Sequence, residues 1–265
     1  MFRSTEPMPT INNVFAGGRC TLQCPLGLSY DFIILKLTNC TPADLKNFKI
    51  KVGANSVWDL TSATYIADIN EYYDRADDAG YLTIWFYRPE MKTETERAMF
   101  SLGTEDIQSL TLQWDLDAGV TSPAIEAWAM RRPQAPIGVI TKLRQYPLSF
   151  ATAGNQDIDN IPRGPRISAF HLYKADVSAV ELKVNNGQGA GTPVDSPKMV
   201  LETIQKRHGR KPLTAKATHV DMNLLGKWDT PMVTAGLQDM RLKPVIDTSG
   251  ALDVMVEYLD TLDGL

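Results

Sequence analysis

The stretch SLTLQWDL, residues 109–116, sets Leu110, Leu112, Trp114 and Leu116 on one side of an extended chain and Ser109, Thr111, Gln113 and Asp115 on the other. Alternation with period two marks a strand with one buried face. ALDVMVEYL, residues 251–259, repeats it, with Leu252, Val254, Val256 and Tyr258 opposed to Asp253, Met255 and Glu257. Shorter cases are FKIKV, residues 48–52, and VELKV, residues 180–184. YLTIWFY, residues 81–87, is apolar on both sides and predicts a strand buried on both faces.

Helical signals are fewer. Over residues 57–73, Trp58, Ser62, Tyr65, Ile66, Ile69 and Tyr73 recur at three- and four-residue steps, which predicts one apolar helical stripe. A second helix is bounded by Ser196 as N-cap, Pro197 as first residue and Gly209 as stop. A third, short helix starts at Thr93, where Thr93 and Glu96 have capping-box spacing, and ends at Gly103.

Laid side by side, the two halves repeat one order of elements. FIILKL pairs with ISAFHLY, FKIKV with VELKV, the helix near Tyr65 with that near Ile204, YLTIWFY with ATHVDMNLL, Thr93 with Thr230, and SLTLQWDL with ALDVMVEYL. The offset is roughly 130–145 residues throughout, the mark of an internal duplication of one mostly-β unit. The seam falls in MRRPQAPIG, residues 130–138, where two prolines and a glycine block a continuing element. Residues 1–134 and 135–265 are therefore read as two tandem β-sandwiches. Strands without βαβ alternation exclude a parallel α/β fold, and helix-bearing connections suit jelly rolls. The turn-rich stretch 151–165 is expected to be an exposed loop, and GQGAG, residues 187–191, a flexible loop between a strand and a helix.

Composition narrows function. With 27 basic and 31 acidic side chains the 265-residue chain carries a net charge of −4, whereas a general nucleic-acid coat needs a clear basic excess. The one dense basic run, Lys206, Arg207, Arg210 and Lys211, reads as a solvated helix end and loop. No apolar run approaches the roughly 18–20 residues of a membrane span. The first residues, MFRSTEPMPTINN, lack the apolar stretch of a secretory signal, so synthesis in a host cytoplasm is expected.

Catalytic constellations are not evident. His171, His208 and His219 have no metal-ligand spacing and read as structural, with His219 on the polar face of its strand. Cys20 and Cys24 share a strand face near Cys40 and read as buried thiols, since a zinc site lacks its fourth ligand. Asp115 with Asp117, and Asp157 with Asp159, are the candidate carboxylate pairs for glycoside hydrolysis and read as solvated acids. The same oxygens would hold a structural calcium ion only if a neighbouring loop or subunit supplied more ligands, because calcium takes six to eight. No cofactor is called for.

The stretches NNVFAGGRCTLQCPLGLSYDFI, TPADLKNFKIKV, FYRPEMK followed by AMFSLGT, IPRGPRISAFHLYKADVSAVELKV, and LQDMRLK followed by VMVEYL resemble, in order, the major capsid proteins of corticoviruses, tailless marine bacteriophages with an internal membrane. The likeness runs from about Asn12 to Leu259 and is most distinctive in RPEMK with MFSLGT; it departs between Lys92 and Met99 and around Ala151 to Asp159. It implies a double jelly-roll of two eight-stranded sandwiches and a homotrimeric, pseudo-hexagonal capsomer. It also implies contacts with neighbouring capsomers, the viral inner membrane and minor vertex proteins, and a place in the virion. On this reading residues 1–18 form an extended arm at the capsomer base, and Arg3 with the run near Arg207 faces the membrane. A carbohydrate-binding or receptor-binding β-sandwich is the alternative, which requires a cluster of exposed aromatic side chains.

Overall fold

A computed structural model describes residues 3–264. Two compact units emerge: the first runs to Leu143 and takes in Thr261–Asp263, and the second runs from Arg144 to Asp260. The contacts divide within one strand, after Leu143.

The first unit contains β1 (Ser4–Pro7), β2 (Arg19–Cys24), β3 (Ser29–Thr38), β4 (Leu45–Val52), β5 (Asn55–Ser62), α1 (Thr64–Tyr72), β6 (Tyr81–Trp85), α2 (Glu94–Ala98), β7 (Leu110–Leu116) and β8 (Ala124–Arg132). Its two four-stranded sheets have the orders β1-β8-β3-β6 and β5-β4-β7-β2. Strand β9 (Ile140–Phe150) leads into the second unit, which holds β10 (Gly154–Asn155), β11 (Arg166–Tyr173), β12 (Val177–Asn185), β13 (Ala190–Pro197), α3 (Lys198–Arg207), β14 (Thr218–Asp221), β15 (Met232–Val233), β16 (Asp239–Ile246) and β17 (Gly250–Asp260). Here the orders are β14-β11-β17-β9 and β10-β16-β12-β13, with β15 beside β11.

These orders are one topology used twice. Reading β9, β10, β11, β12, β13, β14, β16 and β17 in place of β1 to β8 converts each sheet of the first unit into one of the second, and α3 takes the place of α1. The duplication is therefore real, with one pairing corrected. The counterpart of SLTLQWDL is β16, and ALDVMVEYL corresponds to β8. Pro244 interrupts the alternating stretch of β16, so the next alternating stretch looked like the partner.

Each sandwich closes on the side chains its alternation turns inward. Phe48 of β4 and Trp114 of β7 stack at 5.8 Å and 14° in the first unit, among Leu22, Ile50, Leu60 and Leu112. Phe170, Leu182, Val220, Leu242, Val256 and Tyr258 build the second core.

Several expectations shift. Residues 55–62 form strand β5, not helix, because Gly53 at φ +59° turns the chain back so that Phe48 meets Leu60 and Ile50 meets Trp58. The helical stripe survives only from Thr64. β17 is buried on both faces from Val254, since Met255 and Glu257 lie opposite His171 and Ala169 of β11. Tyr81, at the start of β6, is exposed. GQGAG spans the turn of the β12–β13 hairpin and the first two residues of β13, so it leads into a strand rather than a helix. The stretch 151–165 is anchored, not free: β10 pairs with β16, and Ile158 bridges Leu242. At the other end Ser4–Pro7 joins β8 as an edge strand, so this part of the expected extended arm is a paired strand.

The capping box at Thr93 is present, with Thr93 Oγ1 accepting from Glu96 N at 3.2 Å, although α2 stops at Ala98. Thr93→Ala should cost about 1 kcal/mol in denaturant unfolding.

Candidate functional site

Three of the four nominated carboxylates are spent on structure, and Asp159 is exposed. Asp115 receives Arg19 at 2.8 Å and Asn47 at 2.9 Å, and these hydrogen bonds hold its carboxyl below the usual range. Asp117 caps the backbone of Gly119, and Asp157 pairs with Arg241 at 3.1 Å. Among the described residues no group of three or more acidic, histidine or cysteine side chains could hold a metal ion.

All three cysteines are buried free thiols. Burial pushes Cys20 up to about 11 and Cys24 up to about 12. Since the thiolate is the reactive form, a thiol reagent at pH 8 should label none of the three in the native protein within minutes and all three after denaturation.

Of the basic run, only part is solvated. Arg210 is buried and pairs with Asp221 at 2.9 Å, while its other arm donates to Asn223 O. The histidines depart further. His219 is not on an exposed polar face: it is buried opposite His171, and the two Nδ1 atoms are 2.7 Å apart. His171 Nε2 in turn lies 3.0 Å from Glu257 Oε1.

Two ionic clusters escape sequence reasoning, the first because its members are far apart along the chain and the second because no spacing rule links the helix end, strand end and loop that carry it. Asp31, on β3, is buried and accepts from Arg132 at 2.5 and 3.0 Å, from Ser101 at 2.6 Å and from Arg3 at 3.0 Å. Arg3 also reaches Glu94 and lies 5.1 Å from the Tyr87 ring centre. Its charge is compensated within the first unit, whereas the membrane-facing expectation rested on charge alone. The second cluster joins Arg88 and Arg75 to the two oxygens of Glu90 at 2.6 and 3.0 Å, with Arg88 also donating to Tyr73 Oη.

The surface carries small apolar features. A groove of about 500 Å³ runs between β13, α3 and β14, lined by Val194, Leu201, Ile204, Val220, Met222 and Leu224. Met199, Val200 and Ile204 on α3 are exposed. The exposed aromatics among the described residues are Phe15, in the segment before β2, and Tyr81 on β6, which form no glycan-stacking platform. Among the described residues no helix is long and apolar enough to cross a membrane.

The molecule offers two sandwiches of one topology and polar groups committed to holding them. Comparison with known proteins gives this a setting. Residues 5–134 match the family described as viral coat protein P2 N-terminal domain, and residues 140–262 match its C-terminal domain. The chain belongs to the viral coat protein P2 family. It is 26% identical over 265 residues to the major capsid protein P2 of Pseudoalteromonas phage PM2, covering 97% of each chain. The crystal structure of PM2 P2 superposes with a TM-score of 0.92 at 26% identity, over 98% of each chain. The fold extends to the major capsid protein of Sulfolobus turreted icosahedral virus, with a TM-score of 0.74 at 10% identity over 99% of this chain and 98% of that one. It extends also to the PBCV-1 virus capsid, at 0.64 and 10% over 100% and 96%. This P2-family chain is thus a viral major capsid protein of the double jelly-roll type, a structural component of the virion and not an enzyme.

Proposed function

We propose that the chain trimerises into a pseudo-hexagonal capsomer and that capsomers tile an icosahedral shell over an internal membrane, meeting neighbouring capsomers on their sides and minor proteins at the vertices. The observation that carries this reading is the repeat of one sandwich topology within a single chain. Three copies present six similar sandwiches, so three-fold symmetry yields an outline with six similar sides. Closed three-fold association uses heterologous contacts that bury one side of each copy against the next. The net charge of −4 fits a shell that does not bind nucleic acid by sequence.

Light scattering of the purified protein, with and without calcium, tests the trimer. With a chain mass of 29.4 kDa, 3 × 29.4 gives about 88 kDa for the expected species. A stable monomer in both conditions at micromolar concentration would contradict it.

A further inference from the structure

We propose that His171 and His219 form an acid-sensitive latch in the second unit, which holds α3 and residues 208–217 against the sheet while His219 is neutral and releases them when it takes up a proton.

The tautomers follow from the partners. Leu213 N–H donates to His219 Nε2 at 3.3 Å, so that nitrogen is an acceptor and the ring proton of neutral His219 sits on Nδ1. It is directed at His171 Nδ1, 2.7 Å away, which must then accept. The proton of neutral His171 is therefore on Nε2, facing Glu257 Oε1 at 3.0 Å. All four ring nitrogens are engaged. A further proton would set donor against donor, either at His219 Nε2 facing Leu213 N–H or between the two Nδ1 atoms. Both side chains are buried, so the charge gains no water in compensation.

What the pair holds is specific. Besides the Leu213 bond, Gln205 Nε2 of α3 donates to His219 O at 2.6 Å. Lys198, at the start of α3, donates to Ala175 O and Thr214 O at 3.1 and 2.8 Å. The buried charged groups on the elements packed here are Glu257 on β17, Asp221 on β14 already bound to Arg210, and Lys198 and Glu202 on α3. Glu257 faces His171 Nε2 at hydrogen-bond distance, whereas Lys198 repels a new positive charge on His219. Burial first, then His171 and Lys198, keeps His219 well below the ordinary histidine value, against an opposing pull from Glu257.

The sign follows. An opened His219 takes up a proton near pH 6.5 and the closed one does not. Stability of the closed state is complete above that value and is lost as pH falls through it, about tenfold in the closed-to-open ratio per pH unit.

Hydrogen exchange of the full-length protein, corrected for the intrinsic pH dependence of exchange, tests the latch. Protection of peptides within residues 198–217 should fall about fiftyfold between pH 6.5 and 4.5, since the loss approaches tenfold per unit only below the open-state value, while peptides from β12 and β16 hold theirs. His219→Gln should abolish this differential loss. Should that variant not fold, the imidazole carbon signals of the native protein serve instead: His219 should stay neutral until the segment opens. A flat profile, an equal loss across the unit, the same differential loss in His219→Gln, or a His219 that charges with the segment closed would each overturn the proposal.

Discussion

Asp31→Ala is expected to destabilise the first unit by about 3–5 kcal/mol, the cost of leaving a buried charge without its partner. The carboxylate is the common acceptor for Arg132, Arg3 and Ser101, and its side chain is 3% exposed. Arg132 is itself only 11% exposed and ends β8, while Arg3 leads into β1, which pairs with β8. Removing the acid leaves the Arg132 guanidinium with only a 3.6 Å approach to the exposed Glu94, at the point where the edge strand is fastened. Urea unfolding at neutral pH measures the effect. Glu126→Ala supplies the contrast. It removes a 3.3 Å bond from Lys36, and the two side chains are 61% and 44% exposed; exposed pairs contribute about 0–1 kcal/mol. A loss below about 1 kcal/mol for Asp31→Ala would show that the cluster is ornamental.

The second large effect concerns the sandwich cores. Trp114→Ala in the first unit and Phe170→Ala in the second should each cost about 3–5 kcal/mol, since both side chains are fully buried and the surrounding strands cannot collapse into the space. Trp114 sharpens the test, because its buried indole nitrogen meets the Cys20 thiol, a weak acceptor, rather than an oxygen or nitrogen acceptor. Trp114→Phe gives up that weak contact and keeps the stacking on Phe48, so its cost should stay below about 1.5 kcal/mol, as for other shape-conserving replacements. Equal losses for the alanine and phenylalanine variants would mean that indole size, not aromatic stacking in a β-core, decides the site.

What the sequence disclosed about the fold follows from local physics. Period-two alternation located β4, β7 and β12, because in these strands one face meets the core and the other meets water. It misjudged β17, where a polar-looking face carrying Glu257 and Met255 turns out to be buried against β11 and its neighbours. Residues 55–62 fit both a helical stripe and a strand, and only pairing with β4 decides between them. Short edge strands such as Ser4–Pro7 and Gly154–Asn155 have no pattern long enough to read. The family was legible through ordered, residue-specific stretches rather than through periodicity.

The polar architecture was scarcely legible. Asp31 stands 101 residues from Arg132, and His171 stands 48 from His219 and 86 from Glu257. No spacing rule joins such residues; sheet register does. One signal was available in retrospect. Once FIILKL and ISAFHLY are matched across the duplication, His171 falls inside an otherwise apolar strand, and a buried histidine needs hydrogen-bond partners.

The most direct test of the central claim is an electron cryomicroscopy map of the virion that contains this chain, with the shell protein identified by mass spectrometry. The account predicts that the chain is the most abundant protein of the particle, and that each capsomer resolves into three copies and six β-sandwiches over a membrane. Density for this chain confined to vertex spikes, or capsomers with any other number of copies, would contradict it.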